Sequence, residues 1–163
     1  NSVSLRYFNP IGSHNSGLIG DCSNDNASNL VPIVTEFACG LRDKFIVNGN
    51  DYNTHDGTCV RDYIHVQDLA VAHVKALDFL LENKVKDVFN VGTGKDVSIR
   101  EMAETMKEVI GFKGKLTFDT SKSDGAPRKS VNVSRLANMG WNYGVNLKDG
   151  LNQTYEWYLK NRS

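Results

Sequence analysis

Apolar positions along this chain recur with two periods, two residues and three to four residues, and the periods take turns. Residues 3–8 (Val-Ser-Leu-Arg-Tyr-Phe) read as a strand that Asn9-Pro10 stops, because proline cannot continue a ladder. Residues 12–26 are polar and glycine-rich, a loop. A helix is predicted from Asn29-Leu30 to about residue 42, with Pro32 in its first turn and Val31, Val34, Phe37, Ala38 and Leu41 spaced by threes and fours. A short strand at 45–47, a loop at 49–58 and an extended piece at 63–66 follow. Asp68 is the predicted N-cap of a helix reaching about residue 82, with Leu69, Ala72, His73, Ala76, Leu77 and Leu80 on one face. Residues 87–91 form a strand that ends at Gly92-Thr93-Gly94. Ser98 and Glu101 stand three apart as a capping box for a helix ending near Gly111. A strand at 115–118, a loop at 120–129, a short helix at 133–139 stopped by Gly140, and a last amphipathic helix at 147–161 complete the chain.

Alternating strands and helices make the fold class α/β. The strands at 3–8 and 88–91 are expected to be buried on both faces, in a parallel sheet larger than the rest of the chain builds. The first of them opens two residues in, with no initiator methionine, which suggests a fragment of a longer protein. No repeat, low-complexity run or linker divides the chain.

Lysine plus arginine and aspartate plus glutamate number 19 each, so a general nucleic-acid binder, which needs a basic excess, is excluded. Any anion grip must be local. Cys22, Cys39 and Cys59 are odd in number and form no C-x-x-C, the usage of reduced thiols in a cytoplasmic protein. There is no signal peptide or transmembrane run, so no membrane partner is expected, and the sequons at Asn26, Asn132, Asn152 and Asn161 are discounted. A zinc site from Cys59, His55 and His65 fits no standard ligand spacing.

The most informative stretch is 57–70, Gly-Thr-Cys-Val-Arg-Asp-Tyr-Ile-His-Val-Gln-Asp-Leu-Ala. It sets Arg61 at the mouth of a turn, before a short apolar strand and an acidic helix start. The planar fork of an arginine grips phosphate oxygens in a fixed orientation. A surface ion pair with Asp62 is the plainer alternative. Asn9 follows a strand's carboxyl end, where open α/β sheets put their ligands, and offers both a donor and an acceptor; the alternative is a simple turn before Pro10. Asn29-Leu30 lies at a helix N-terminus, suited to an anion or to plain capping. Lys122, Arg128 and Lys129 bracket Asp124-Gly125-Ala126-Pro127, either as a phosphate or ribose clamp or as a solvated basic loop. Gly92-Thr93-Gly94 is half of a dinucleotide fingerprint or a tight strand-to-helix turn. His65 is expected as a satisfied core histidine, His73 as helix packing, and Trp141 and Trp157 as core. No nucleophile and base stand at a signature spacing.

Residues 5–14 (Leu-Arg-Tyr-Phe-Asn-Pro-Ile-Gly-Ser-His), 29–32 (Asn-Leu-Val-Pro), 49–52 (Gly-Asn-Asp-Tyr), Asp56-Gly57-Thr58, 60–66 (Val-Arg-Asp-Tyr-Ile-His-Val) and Asp68-Leu69-Ala70, in that order, resemble the UDP-glucose 4-epimerases, members of the extended short-chain dehydrogenase/reductase family of sugar-nucleotide enzymes. The tail, with residues 122–129, Val133-Ser134-Arg135-Leu136, Gly140-Trp141 and Thr154 to Trp157, is more similar to GDP-fucose synthase and related members, and Asn48 stands where the epimerases usually carry an aromatic residue.

The resemblance implies an N-terminal Rossmann half that holds NAD and a smaller C-terminal part that binds the nucleotide sugar. Residues 1–163 would be the C-terminal part: the last strands of the Rossmann sheet plus the substrate domain, without the N-terminal NAD-binding half. By the motif match Asn9, Asn29, Leu30 and Arg61 would contact the uridine diphosphate, with Arg61 on the phosphates, and Tyr7 would lie near the nicotinamide; Lys122 and Arg128 join the substrate-binding set as the basic-loop clamp. The family's glycine-rich NAD fingerprint and Tyr-x-x-x-Lys pair do not occur in this sequence: no tyrosine has a lysine four places on. The expectation is a UDP-hexose-binding portion of a UDP-galactose/UDP-glucose epimerase, without turnover or appreciable NAD binding by itself. A non-catalytic binding or assembly module, and an epimerase-reductase or dehydratase, are the alternatives. Uncovered strand edges add an expectation of homo-oligomers or strand exchange.

Overall fold

The computed structural model describes residues 1–18, 30–38, 44–121 and 125–161. Nine strands and five helices alternate along them: β1 (Ser2–Tyr7), β2 (Pro10–Ile11), α1 (Leu30–Ala38), β3 (Ile46–Asn48), β4 (Val60–Arg61), β5 (Ile64–His65), α2 (Val66–Asn83), β6 (Lys86–Val91), β7 (Val97–Ser98), α3 (Ile99–Val109), β8 (Thr117–Asp119), β9 (Arg128–Lys129), α4 (Ser134–Asn138) and α5 (Leu147–Asn161). The expected α/β class is what the chain adopts.

β1 and β6 pair in parallel from Ser2↔Lys86 to Tyr7↔Val91, and α2 runs back between them as the crossover. β2 pairs with β5, and β3 with β8, both in parallel. β4 is flanked by β7, antiparallel, and by β9, parallel. The burial of β1 and β6 departs from expectation. Neither strand is covered on both faces: Ser2, Ser4 and Arg6 put polar side chains outward, Tyr7 and Val88 are exposed, and only Phe89 and Val91 are fully buried. α2 packs against the face that carries Val3 and Leu5, and at its edge β1 has β6 on one side and, among the described residues, no strand on the other.

Two apolar clusters hold the chain. One joins Val34 of α1, Phe45, Val47, Met102, Ala103 and Met106 of α3, and Leu151 of α5. The second joins Ile64, Leu69 and Ala72 of α2, Phe89 and Val91 of β6, Leu136 of α4, and Trp141. Phe79 of α2 meets Phe89 edge-on at 5.5 Å. Trp157 lies with its indole against Gly17, where a Cβ would come within 2.0 Å of the ring.

The capping box at α3 is present as the sequence indicates, with Ser98 Oγ accepting from the Glu101 N–H and Glu101 returning the bond to the Ser98 N–H. The cap of α2 is different. His65, not Asp68, occupies it, and its Nδ1 accepts from the Gln67 N–H at 3.3 Å. Asp68 sits inside the first turn, where the Gly144 and Val145 N–H groups donate to its carboxylate, both at 3.0 Å. The predicted 120–129 loop also gives up Arg128 and Lys129 to the strand β9. No helix among the described residues is long and apolar enough to cross a membrane.

Candidate functional site

The site is built where β1 runs out. The chain leaves Tyr7 through Phe8 and reverses at Asn9, whose φ is +44°. That left-handed conformation costs most side chains energy and is tolerated best by Gly and Asn. The turn is then stitched to the segment that follows β4. Asn9 Nδ2 donates to the Asp62 carbonyl at 3.0 Å, the Ile64 N–H donates to the Asn9 carbonyl at 3.3 Å, and β2 pairs Pro10 with Ile64. Asn9 and Arg61, 52 positions apart in the sequence, are thereby held on neighbouring segments. Asn9 is a brace as well as a turn, so the simple-turn alternative is too small for it.

Burial alternates from Val60 to Ile64: Val60, Asp62 and Ile64 are buried, while Arg61 and Tyr63 between them are partly exposed. Arg61 therefore lies on the face opposite Asp62, the less buried of the two. Its Nη1 donates to the Val60 carbonyl at 2.8 Å, and it forms no ion pair among the described residues. The surface-pair alternative with Asp62 is not what forms, because that carboxylate is engaged elsewhere. The Arg61 charge does reach Tyr63: burial pushes the phenol up to about 12, with the guanidinium pulling weakly the other way.

Asp62 is only 1% exposed and lies under the turn after β6. Its Oδ1 accepts from the Thr93 N–H at 2.9 Å and from Thr93 Oγ1 at 2.7 Å, and its Oδ2 accepts from the Gly94 N–H at 2.8 Å. The turn is thus an anion-binding nest of backbone donors, filled by the protein's own carboxylate. A Cβ at Gly92 would come within 2.5 Å of Asp62 Oδ2, which explains glycine there. The tight-turn reading of Gly92-Thr93-Gly94 holds over the dinucleotide reading, since a cofactor phosphate and Asp62 cannot share these donors.

On the other side of β4 lies β9, in register Val60↔Arg128 and Arg61↔Lys129. This pairing brings the basic residues of the tail beside Arg61. Arg128 is exposed and its guanidinium pairs with Asp96, whereas Lys129 forms no ion pair among the described residues. Asn29 and Lys122 lie outside the described residues, and Leu30 is described only as the first residue of α1. Tyr7 is 44% exposed, with its ring 5.7 Å from that of His73 in an edge-on pair. The two rings line a groove of about 360 Å³ between β1 and α2, along with Val3, Leu5, Ala76 and Leu80.

Below β4, a second acidic residue anchors the 49–58 loop. Asp56 accepts from the Thr58 N–H and Oγ1, and from Ser98 Oγ at 2.5 Å. Partial burial raises its carboxyl, and the hydrogen bonds from Ser98 and Thr58, with His55 nearby, more than offset this and leave it below the ordinary carboxylate value. No metal cluster of three His, Cys, Asp or Glu side chains forms among the described residues. Of the residues considered for zinc, Cys59 donates from Sγ to the Ala126 carbonyl and His65 is committed to α2. His65 is buried but only half satisfied, because Nε2 has no partner among the described residues and its ring packs into the space left by Gly12 and Gly150. His73 contacts the Leu69 carbonyl through Nδ1 at 2.8 Å, a bond within α2.

Comparisons with known proteins place the chain in a family. A family model described as the NAD dependent epimerase/dehydratase family matches residues 1–92. UDP-glucose 4-epimerase of Bacillus subtilis is 40% identical over 158 residues, which is 96% of this chain and 47% of the relative. GDP-L-fucose synthase 1 of Arabidopsis thaliana is 50% identical over 105 residues, 64% of this chain and 32% of the relative. Among solved structures, UDP-glucose-4-epimerase from Stenotrophomonas maltophila, with bound NAD and formylated UDP-arabinopyranose, superposes with a TM-score of 0.88 at 38% identity. It is matched over 97% of this chain and 47% of its own. The Bifidobacterium longum UDP-glucose 4-epimerase, in complex with NAD+ and UDP, gives 0.85 at 34% identity. The chain spans less than half the length of these relatives. Strand, asparagine turn, arginine segment and crossover helix all lie inside the matched 92 residues, and the chain belongs to the NAD dependent epimerase/dehydratase family.

Proposed function

We propose that this chain binds a nucleoside-diphosphate sugar, a UDP-hexose, as the substrate-holding portion of an NAD-dependent UDP-glucose 4-epimerase-like enzyme. One observation carries the reading: Asn9 is hydrogen-bonded to the backbone that presents Arg61, and Arg61 is free of any carboxylate among the described residues. A guanidinium with no carboxylate partner suits the oxygens of a pyrophosphate. Arg61 holds the phosphates and Asn9 borders them. Asn29 and Leu30 belong to the same proposal by motif match, and Lys122 and Arg128 by the reading of the basic loop as a phosphate or ribose clamp.

We place the main NAD contacts outside these residues. The backbone donors after β6 that would suit a cofactor phosphate are filled by Asp62, and Tyr7, in the groove between β1 and α2, is the residue proposed to lie near the nicotinamide. We therefore assign no redox step to this chain. The hydride chemistry belongs to NAD and to a complementary Rossmann half, which would cover the open edge of β1 and the groove beside it. Without that half, copies of the chain would pair through the same edge.

Isothermal titration of the chain with UDP tests the binding claim. Arg61→Ala removes charged hydrogen bonds of about 1.5–3 kcal/mol, and the affinity should fall about tenfold to a hundredfold. An unchanged affinity refutes the assignment. Incubation with NAD and UDP-galactose should yield no UDP-glucose from the chain alone. The fucose-synthase likeness supports a second reading, a guanine nucleotide in the same place; tighter binding of GDP than of UDP would favour it.

A further inference from the structure

We propose that Asp62 is the positioning residue of the phosphate site, the group through which the turn after β6 sets the place of Arg61. The inference rests on the reading of Arg61 as the phosphate grip and adds a residue that touches no ligand.

The argument begins with cost. A carboxylate that is 1% exposed is expensive to bury unless its lone pairs are filled. Here three donors fill them, two from Thr93 and one from Gly94. Charge-assisted bonds of this kind, aimed at both oxygens, fix the orientation of the side chain as well as its presence. Glycine at 92 keeps the approach open, since a Cβ there would stand 2.5 Å from Oδ2.

The same residue holds the second candidate ligand from its backbone side. The Asp62 carbonyl accepts from Asn9 Nδ2 at 3.0 Å. One residue thus links three separate segments: the turn after β1, the end of β4 and the turn after β6. Because successive side chains of an extended segment alternate, fixing Asp62 toward the turn after β6 fixes Arg61 toward the opposite face. Among the described residues the Arg61 side chain makes one hydrogen bond, to the neighbouring Val60 carbonyl, so its direction across the site is set by the backbone that carries it.

The coupling is measurable with two probes, UDP and uridine, titrated into the full chain. Asp62→Asn turns one acceptor into a donor facing the nest, and UDP affinity should fall about tenfold, the equivalent of ~1.4 kcal/mol, with uridine affinity unchanged within about twofold. Thr93→Val removes one donor and should act in the same direction by about threefold, which keeps the test open if Asp62→Asn does not fold. In an Arg61→Ala background the effect on UDP of either change should vanish. Met102→Ala, remote from the site, should leave the ratio of UDP to uridine affinity alone. Equal losses for UDP and uridine, or losses that multiply with Arg61→Ala, overturn the positioning role and leave the phosphate reading standing. A UDP affinity indifferent to Arg61→Ala, or no binding of either probe, overturns the phosphate reading and the inference with it.

Discussion

The two apolar clusters are built to different degrees of closure. Around Met102 and Met106 the core is sealed by three helices and by the β3–β8 pair, and Met102 and Ala103 have no exposed surface. Around Phe89 the core is roofed by α2 and α4, yet α2 also carries a second apolar stripe, Val71, Val74, Leu77 and Leu81, each more than half exposed. A helix apolar on nearly all sides belongs in an interior. One cluster is closed by its own elements, and the other leaves an apolar face of α2 exposed among the described residues. The candidate site lies along their seam, with Ile11 from the first cluster and Ile64 from the second paired across β2 and β5 through their neighbours.

Matched substitutions measure that difference. Leu151 of α5 and Leu136 of α4 are both fully buried, one in each cluster. Leu→Ala changes in cores cost about 2–5 kcal/mol, the larger values where the cavity cannot collapse. Leu151→Ala should fall near the top of that range and Leu136→Ala near the bottom, since the five-residue α4 has room to settle toward the open side. Chemical denaturation of both variants decides it. A larger cost at Leu136 would mean that the open cluster is as tightly constrained as the closed one.

The helix caps offer a second matched pair. Ser98 closes α3 with a reciprocal box and also donates to Asp56, so Ser98→Ala should cost about 1–2 kcal/mol. Asp56, held below its ordinary value, contributes stability that is complete above about pH 3.8 and is lost as the pH falls through its lower folded value. Ser98→Ala should shrink that acid-side loss. Thermal melts between pH 5 and 2.5 would show it, and an unchanged acid limb would separate Ser98 from the Asp56 network.

The Ser98 box could be read in the sequence because both partners lie within one helical turn. The α2 cap could not. His65 and Asp68 are both within reach of the helix start, and what decides between them is remote: the Gly144 and Val145 N–H groups take Asp68 from 76 and 77 residues away. Asp62 presents the same difficulty. Its neighbour Arg61 suggested an ion pair, whereas its true partners stand 31 and 32 residues on. A glycine-rich turn after a strand is a visible nest; what fills it is not. β9 was missed because a two-residue strand has no period, and only its pairing with β4 makes it one. Helices α3 and α5, long and amphipathic, carried their own signal.

His65 turns the open side's cap into a pH-dependent one. Burial pushes its imidazole below the ordinary value, with Asp68 pulling the other way. Nδ1 must be unprotonated to accept from Gln67. An unfolded chain takes up the proton near pH 6.5 while the folded one resists, so stability is complete above that value and falls as the pH drops through the folded one. His65→Asn keeps an acceptor at the cap and should abolish this loss between pH 7 and 5.5, at a cost of about 1 kcal/mol at neutral pH. A melt as pH-sensitive as the parent's would assign the dependence to another group.

The smallest thermodynamic effect is the sharpest test of what the open side is for. Val74 and Leu81 project from α2 with most of their surface in solvent. Replacing both by lysine should change the stability of a dilute chain by no more than about 0.5 kcal/mol, the usual range for surface positions. The same replacement at Met106, 1% exposed, should prevent folding. If the stripe and the β1 edge join copies of the chain, the lysine pair lowers the mass seen by sedimentation at high concentration while the melting temperature stays put. A large loss of stability in dilute solution would instead show that these side chains are already packed, and the contrast between the two clusters would disappear.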